Sequence, residues 1–459
     1  MLKRSTILTI TSIILVSAML LASCAQATPP PAGPAPTEPP PQAPAAAPTE
    51  APPAAPPAAK PELSITWFAW PPCDALAQLV TDYPDATVKV NCVPYEQWHD
   101  SIFTDFAAKG GVDLPIVDSQ WTGEAVVGGH IVDLTDFLKS ETPFDDYVPL
   151  ALKAYGEYPP DSGRYYGAPI MADVQELAYN KNILAEYNID PASLTTWDAL
   201  LKAAQTIKSA AKYDGFVWFW IGSGDQIQSA WNELAWSYGG DLWDPATYKF
   251  EGVVNSPQNV QALQLARDLY LAGPEGAGNW SYGEVSDALC NGKAAMTALW
   301  VGVMAGWTDP ANCTEFPNMG FMVPPAGPSA HILQLGGMGI NVSSYTKDQA
   351  AALAFLKWLE SYDTQIKWVS IGGYSAENKV LASDAFKNAA PFNSVFAEAY
   401  PLVKDFYNLP EYYGLMTKQG EYLNLAVTGQ MTPQEALDKL ALDQQAIMDE
   451  AYPNGPPAQ

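Results

Sequence analysis

The chain has 459 residues, with 50 acidic against 23 basic side chains and a formal net charge of −27. A surface so acidic repels phosphate backbones and anionic lipid headgroups, which sets nucleic acid aside as a partner. Past the first sixty residues about 400 remain, more than one ordinary domain holds, and two lobes are expected.

The start of the chain has the layout of a secretory signal peptide over residues 1–23: positive charge at Lys3 and Arg4, then a weakly polar to apolar run from Ile7 to Ala22. That run is too short and too quickly broken to be read as a spanning helix. It ends in "LASC", which is similar to the cleavage box of bacterial lipoproteins, so Cys24 is expected to be the first mature residue and to carry the lipid. An ordinary cleaved signal with an incidental cysteine is the alternative. Residues 24–61 are almost entirely Pro, Ala, Thr, Glu and Gln, without large apolar side chains to bury. At about 3.1 Å per residue in an extended polyproline helix, this stretch would tether a folded domain up to roughly 100 Å from a membrane.

"ELSITWF" (Glu62 to Phe68) then reads as a buried strand, a helical stretch follows around Asp74 to Val80, and "ATVKVNC" alternates with period two. This β-α-β opening predicts parallel strands with crossover helices. "DLPIVDSQW" adds a short strand with a polar end, and Asp133 to Lys139 a helical turn. Further on, Ser256-Pro257 marks a helix start with a capping hydroxyl, and Thr432 to Glu435 forms a capping box. In "KDQAAALAFLKWLESY", Ala352, Phe355, Leu356 and Leu359 share one helical face. The predicted class is α/β, with a mostly helical C-terminal third.

With Cys24 set aside, Cys73, Cys92, Cys290 and Cys313 stand in an exported chain, where disulfides form. Three connectivities exist. Proximity in sequence favours Cys73 with Cys92 and Cys290 with Cys313; four buried free thiols are the alternative. The cysteines and the widely spaced His99, His130 and His331 make no metal-ligand pattern, and no nucleophile elbow, zincin, P-loop or calcium-loop motif occurs. No cofactor is called for. Among the 50 acids nothing marks a glycosidase pair. Tryptophan is abundant, with 15 residues, several beside turns or strand ends. Indole faces suit the C–H faces of sugars, while neighbouring Asp, Gln and Asn suit their hydroxyls. Core packing competes for each of them, and Trp358 and Trp368, inside helical patterns, read as core.

Several blocks, in order, resemble the extracellular solute-binding proteins of ABC sugar importers, from about Glu62 to Tyr452. They are "DLPIVDSQWTGEAVVGGHIVDLTDFL", "GRYYGAPIMADVQELAYNKNIL", "TTWDALLKAAQTI", "LCNGKAAMTALW", "LGGMGINVSSYTKDQAAALAFLKWL" and "GGYSAENKVL". The resemblance implies a two-lobed periplasmic-binding-protein-like fold of class II type. Its strands would cross near Pro169 to Ala172, Met296 to Ala298 and Ile340 to Val342, and the lobes would close on a ligand by hinge bending. On this basis lobe 1 is expected over 62–170 and 298–341, lobe 2 over 171–297 and 342–452, and a tail over 453–459.

Carried over residue by residue, the ligand contacts implied are Trp67, Trp70, Asp118, Gln120, Trp121, Asp173, Trp300, the backbone at Gly336 and Gly337, and Tyr374, with Asp241 as a lesser candidate. Met338 stands where many relatives have tryptophan, and Glu377 where many have arginine; both departures bear on which sugar is held. Only Arg164 and Arg267 are arginines after the signal region. The expected ligand is therefore a neutral sugar, oligosaccharide or polyol, held by a monomer anchored to the membrane by lipid and handed to the permease subunits of an importer. Such a chain has no turnover of its own. A secreted lipoprotein glycoside hydrolase is the alternative from another class, and a surface adhesion module the third.

Overall fold

The computed structural model describes residues 60–406 and 408–456. The signal region, Cys24 and nearly all of the tether lie outside them.

The first lobe begins as the alternation in the sequence predicts. Strand β1 (Glu62–Phe68) runs parallel to β2 (Thr87–Val93), joined by a helix at Pro71–Leu79 whose first turn is started by proline. β3 (Leu114–Val117) lies on the other side of β1, also parallel and wholly buried. The long strand β4 (Gly167–Asn180) is buried at every position but Tyr179. β5 (Met296–Trp300), β6 (Met319–Met322), β7 (Leu333–Asn341) and the short β8 (Val403–Lys404) follow. The sheet order is β2-β1-β3-β7-β4-β5, with β6 on β4 and β8 on β7.

β4 and β7 make this one sheet serve two lobes. Antiparallel to each other from Gly167↔Asn341 to Val174↔Leu335, with a register shift between Pro169 and Met171, they form the crossing. At one end β7 adds to β3 through Ile116↔Ile340 and Val117↔Gly339. At the other end β4 continues into the second lobe and pairs with β5, from Gln175↔Trp300 to Tyr179↔Met296.

Two of the expected lobe boundaries need correction. Residues 298–322 do not return to the first lobe, because the rest of β5 and all of β6 pair with the second-lobe half of β4. Conversely, the helices Gln349–Leu359 and Tyr362–Ser370 pack on the first lobe: Phe355 and Trp358 meet Tyr83, and Trp368 meets Trp67. The last two helices, Tyr412–Val427 and Pro433–Ala451, join the second, where Gln228 Nε2 donates to the Met416 carbonyl at 2.7 Å. An amphipathic pattern shows which face of a helix is buried and not which lobe buries it.

Both favoured disulfides are present. Cys73–Cys92 fastens the first helix to β2, and Cys290–Cys313 fastens the end of helix Tyr282–Cys290 to the loop ahead of β6, so neither bridges the lobes. The Thr432 capping box forms as predicted, with Thr432 Oγ1 accepting from the Glu435 N–H and Glu435 Oε2 accepting from the Thr432 N–H. Ser256 differs: it precedes Pro257 at the helix start, but its hydroxyl is buried without a partner among the described residues and makes no cap.

A cleft of aromatics and carboxylates

Where β4 and β7 cross, the two lobes enclose a cavity of about 290 Å³. The first lobe supplies one wall from residues just past its strand ends. Phe68 closes β1, and Trp70, the residue before helix Pro71–Leu79, stacks on it at 4.4 Å between centroids. Tyr95, just after β2, meets Phe68 edge-on at 5.0 Å. Asp118 follows β3 at the N-terminus of helix Ser119–Val127, where the helix dipole favours a carboxylate. The second lobe supplies the opposite wall: Asp225 ahead of helix Gln226–Ser237, Ser281 and Tyr282 at the start of helix Tyr282–Cys290, and Trp300 at the end of β5.

The floor is the crossing itself. Asp173 on β4 sits opposite Gly336 on β7, and its Oδ1 accepts from the Val174 and Gly302 N–H groups at 2.8 and 3.4 Å. Two glycines give the floor its depth. A Cβ at Gly336 would come within 2.4 Å of the Trp300 ring, and Gly337 has φ +130° with the Met171 carbonyl 2.4 Å from where its Cβ would stand.

The electrostatics are one-sided, because among the described residues no lysine, arginine or histidine lines the cavity. Burial holds the Asp173 carboxyl up at about 8, against the pull of its backbone donors. Burial also raises Asp118, to about 8, with the neighbouring Asp225 charge adding to it, and burial raises Asp225. Asp225 also ties the walls together, accepting from the Tyr95 hydroxyl and from Gln120 Nε2, both on the first lobe. Trp70 and Gln334 line this space, and Trp70 Nε1 and Gln334 Oε1 have no hydrogen-bond partner among the described residues.

Of the residues singled out from sequence, Trp70, Asp118, Asp173, Trp300, Gly336, Gly337 and Met338 line the cavity. Gln120 stands behind the wall and holds Asp225 at 3.1 Å. The others do not line it. Trp67 is fully buried behind Trp70, because neighbouring residues of a strand point to opposite faces. Trp121 packs on Trp98 and His99, and the Tyr374 hydroxyl is spent on the Val301 carbonyl and Asn393. Asp241 lies apart, paired with Lys404 at 2.8 Å and accepting from Trp236 Nε1. Glu377 is buried near Glu360 in the first lobe, away from the cavity, and its carboxyl is raised to about 9 by burial. Sequence reasoning missed Phe68, Tyr95, Asp225, Tyr282 and Phe406. The Ser281/Glu284 capping box was readable and would have placed Tyr282 at a helix start.

A second depression, of about 560 Å³, opens among Val148, Leu150, Leu381, Phe396, Tyr400 and Val403. Though larger, it has only Lys387 and Asn378 as polar side chains that are not tyrosine, and nothing in it converges on a solute.

The fold and cleft define a two-lobed binding protein, and the family model for bacterial extracellular solute-binding proteins matches residues 73–366. The chain belongs to that family. It is similar to the arabinooligosaccharide-binding protein of Bacillus subtilis, 23% identical over 397 residues that cover 78% of this chain and 85% of that one. It is also similar to the Escherichia coli protein YcjN, 26% identical over 231 residues, so that alignment spans only 49% of this chain and 50% of the relative. Among solved structures, an ABC transporter solute-binding protein from Agrobacterium radiobacter in complex with ribitol superposes with a TM-score of 0.76 at 26% identity, covering 85% of this chain and 99% of that one. Among the described residues no helix is long and apolar enough to cross a membrane.

Proposed function

We propose that this protein captures a hydroxyl-rich, non-anionic solute, a sugar or polyol, in the cleft between its lobes and delivers it to the membrane subunits of an ABC importer. The observation that carries this reading is the cavity wall: aromatic faces from both lobes, carboxylates at strand and helix ends, and no cation among the described lining residues. A buried anionic solute would need a countercharge that this wall lacks. Hydroxyls match it, since a carboxylate accepts several hydrogen bonds while the indoles stack on C–H faces.

The relatives named for arabinooligosaccharide and ribitol support the same solute class. The volume, at the small end of the roughly 300–1,000 Å³ usual for ligand pockets, favours one or two rings over a long chain. Trp70, Trp300, Asp118 and Asp173 are the contacts in this reading, and closure by hinge bending carries the solute to the importer, which hydrolyses the ATP. The hydrolase alternative finds no support in the family. Attachment through Cys24 and a tether over 24–61 completes the proposal, because a tethered protein meets its importer at high effective concentration.

A thermal-shift screen of neutral sugars and polyols beside phosphorylated sugars and amino acids tests it. Neutral hits at roughly micromolar affinity, about 8 kcal/mol, are expected. Stabilisation by phosphorylated sugars alone, or release of cleaved sugar from oligosaccharides, would refute it. For the anchor, mass spectrometry of membrane fractions is expected to find lipid on Cys24 and none after Cys24→Ser.

A further inference from the structure

No cation among the described residues of the wall faces the carboxyl groups of the cleft. Asp118 from the first lobe and Asp225 from the second lie close enough for the charge of one to act on the other, Asp173 lies on the floor, and all three are at least nine-tenths buried. The donors that reach the pair are uncharged: the Tyr95 hydroxyl and Gln120 Nε2 to Asp225, and the Ser119 hydroxyl to Asp118 at 3.3 Å. Gln334, 1% exposed and lining the same cavity, has an Oε1 without a partner among the described residues, while its Nε2 is spent on Ser229. A resident metal is not the answer, since no group of three or more His, Cys, Asp or Glu among the described residues is placed to hold one.

Hydroxyls satisfy lone pairs and leave the net charge where it was, whereas a primary ammonium brings a charge together with three donors. The walls around the pair suit it too. Phe68, Trp70, Tyr95 and Tyr282 line the same space, and the face of an aromatic ring attracts a cation.

We propose that the solute is narrower in class than sugars and polyols at large: a hydroxylated skeleton carrying one basic nitrogen, with its ammonium seated between Asp118 and Asp225. This inference rests on the cleft being the solute site. Asp225 is then the residue that sets specificity, reached from both lobes and completing the ammonium's seat only when they meet. Protons are the competing countercharge; if they serve, a neutral solute will do as well as an amine.

The test uses matched pairs that differ at one group: sorbitol and 1-amino-1-deoxysorbitol, ribitol and 1-amino-1-deoxyribitol, N-acetylglucosamine and glucosamine. Kd is measured calorimetrically near neutral pH on the purified full chain. In the pair that binds, the amine is expected to bind at least about tenfold more tightly, and Asp225→Asn to shrink that preference to about threefold or less. The melting midpoint of the unliganded variant, expected to be no lower than that of the parent, shows that it folds. A neutral partner binding as tightly as its amine overturns the proposal and leaves the sugar or polyol reading standing. A preference that survives Asp225→Asn removes the residue's role. If no member of any pair binds, the reading of the cleft fails and the proposal falls with it.

Discussion

The tryptophans of the second-lobe interior and those of the cleft have the same side chain and opposite employment. Trp218, Trp220, Trp231 and Trp236 are at most 2% exposed, and Trp218 stacks on Trp197 at 5.5 Å while its Nε1 donates to Gln175. Trp70 and Trp300 also pack against protein, but each turns part of its ring to the cavity beside a carboxylate. Aromatic abundance in the sequence therefore marks a core and a site alike. What separates them is position: the site tryptophans stand at a strand end or just before a helix, where the chain also delivers Asp118 and Asp225, over the Asp173 floor.

The contrast can be broken by substitution, and the largest effect belongs to the core. Trp231→Ala should cost about 3–5 kcal/mol of stability in denaturant titrations, because a fully buried ring leaves a cavity. A loss under about 1 kcal/mol would mean that the second-lobe interior is not packed as described. Trp70→Ala should do the reverse: unfolding midpoints move less than for Trp231→Ala, while affinity for the best hit of the solute screen falls about tenfold or more, roughly 1.4 kcal/mol. Equal loss of stability in the two variants would erase the distinction.

Buried carboxylates sharpen the same comparison. Glu360 lies in the first lobe, away from the cleft, with Tyr147 donating to it at 2.7 Å, and burial holds its carboxyl at about 8. The folded protein therefore keeps a proton that the unfolded chain sheds near its ordinary value of 4.5. Its contribution to stability is fully present below that value and is lost as pH rises towards about 8. Glu360→Gln should flatten the fall in stability over that interval and leave solute affinity alone. A steeper fall would contradict the buried, protonated state. The smallest effect is expected from Asp241→Asn: its partly exposed ion pair with Lys404 contributes at most about 1 kcal/mol, and solute affinity should not move. A loss of affinity there would return Asp241 to the site.

Much of this was legible in the sequence where local pattern decides. The β-α-β opening, the Thr432 capping box and both disulfides follow from alternation, capping chemistry and spacing. Six lining residues follow from family motifs that lie on the crossing strands or at strand ends. The failures share a physical cause. Tyr95, Asp225 and Tyr282 become neighbours only when two lobes face each other, and no local pattern encodes that approach. The helices Gln349–Leu359 and Tyr362–Ser370 were assigned to the wrong lobe because chain order was followed where packing decides. Trp121 and Tyr374 were expected in the cleft on residue type and motif position, yet their partners are Trp98, His99, Val301 and Asn393.

The central claim, that the space between Trp70 and Trp300 over the Asp173 floor is the solute site, is tested most directly by a crystal structure grown with the strongest stabiliser from the screen. Density for the solute is expected against both indoles, with hydroxyl or amino groups within hydrogen-bond distance of Asp118 and Asp173. Density in the depression beside Leu381 and Phe396, or a stabiliser bound elsewhere with the cleft empty, would contradict it.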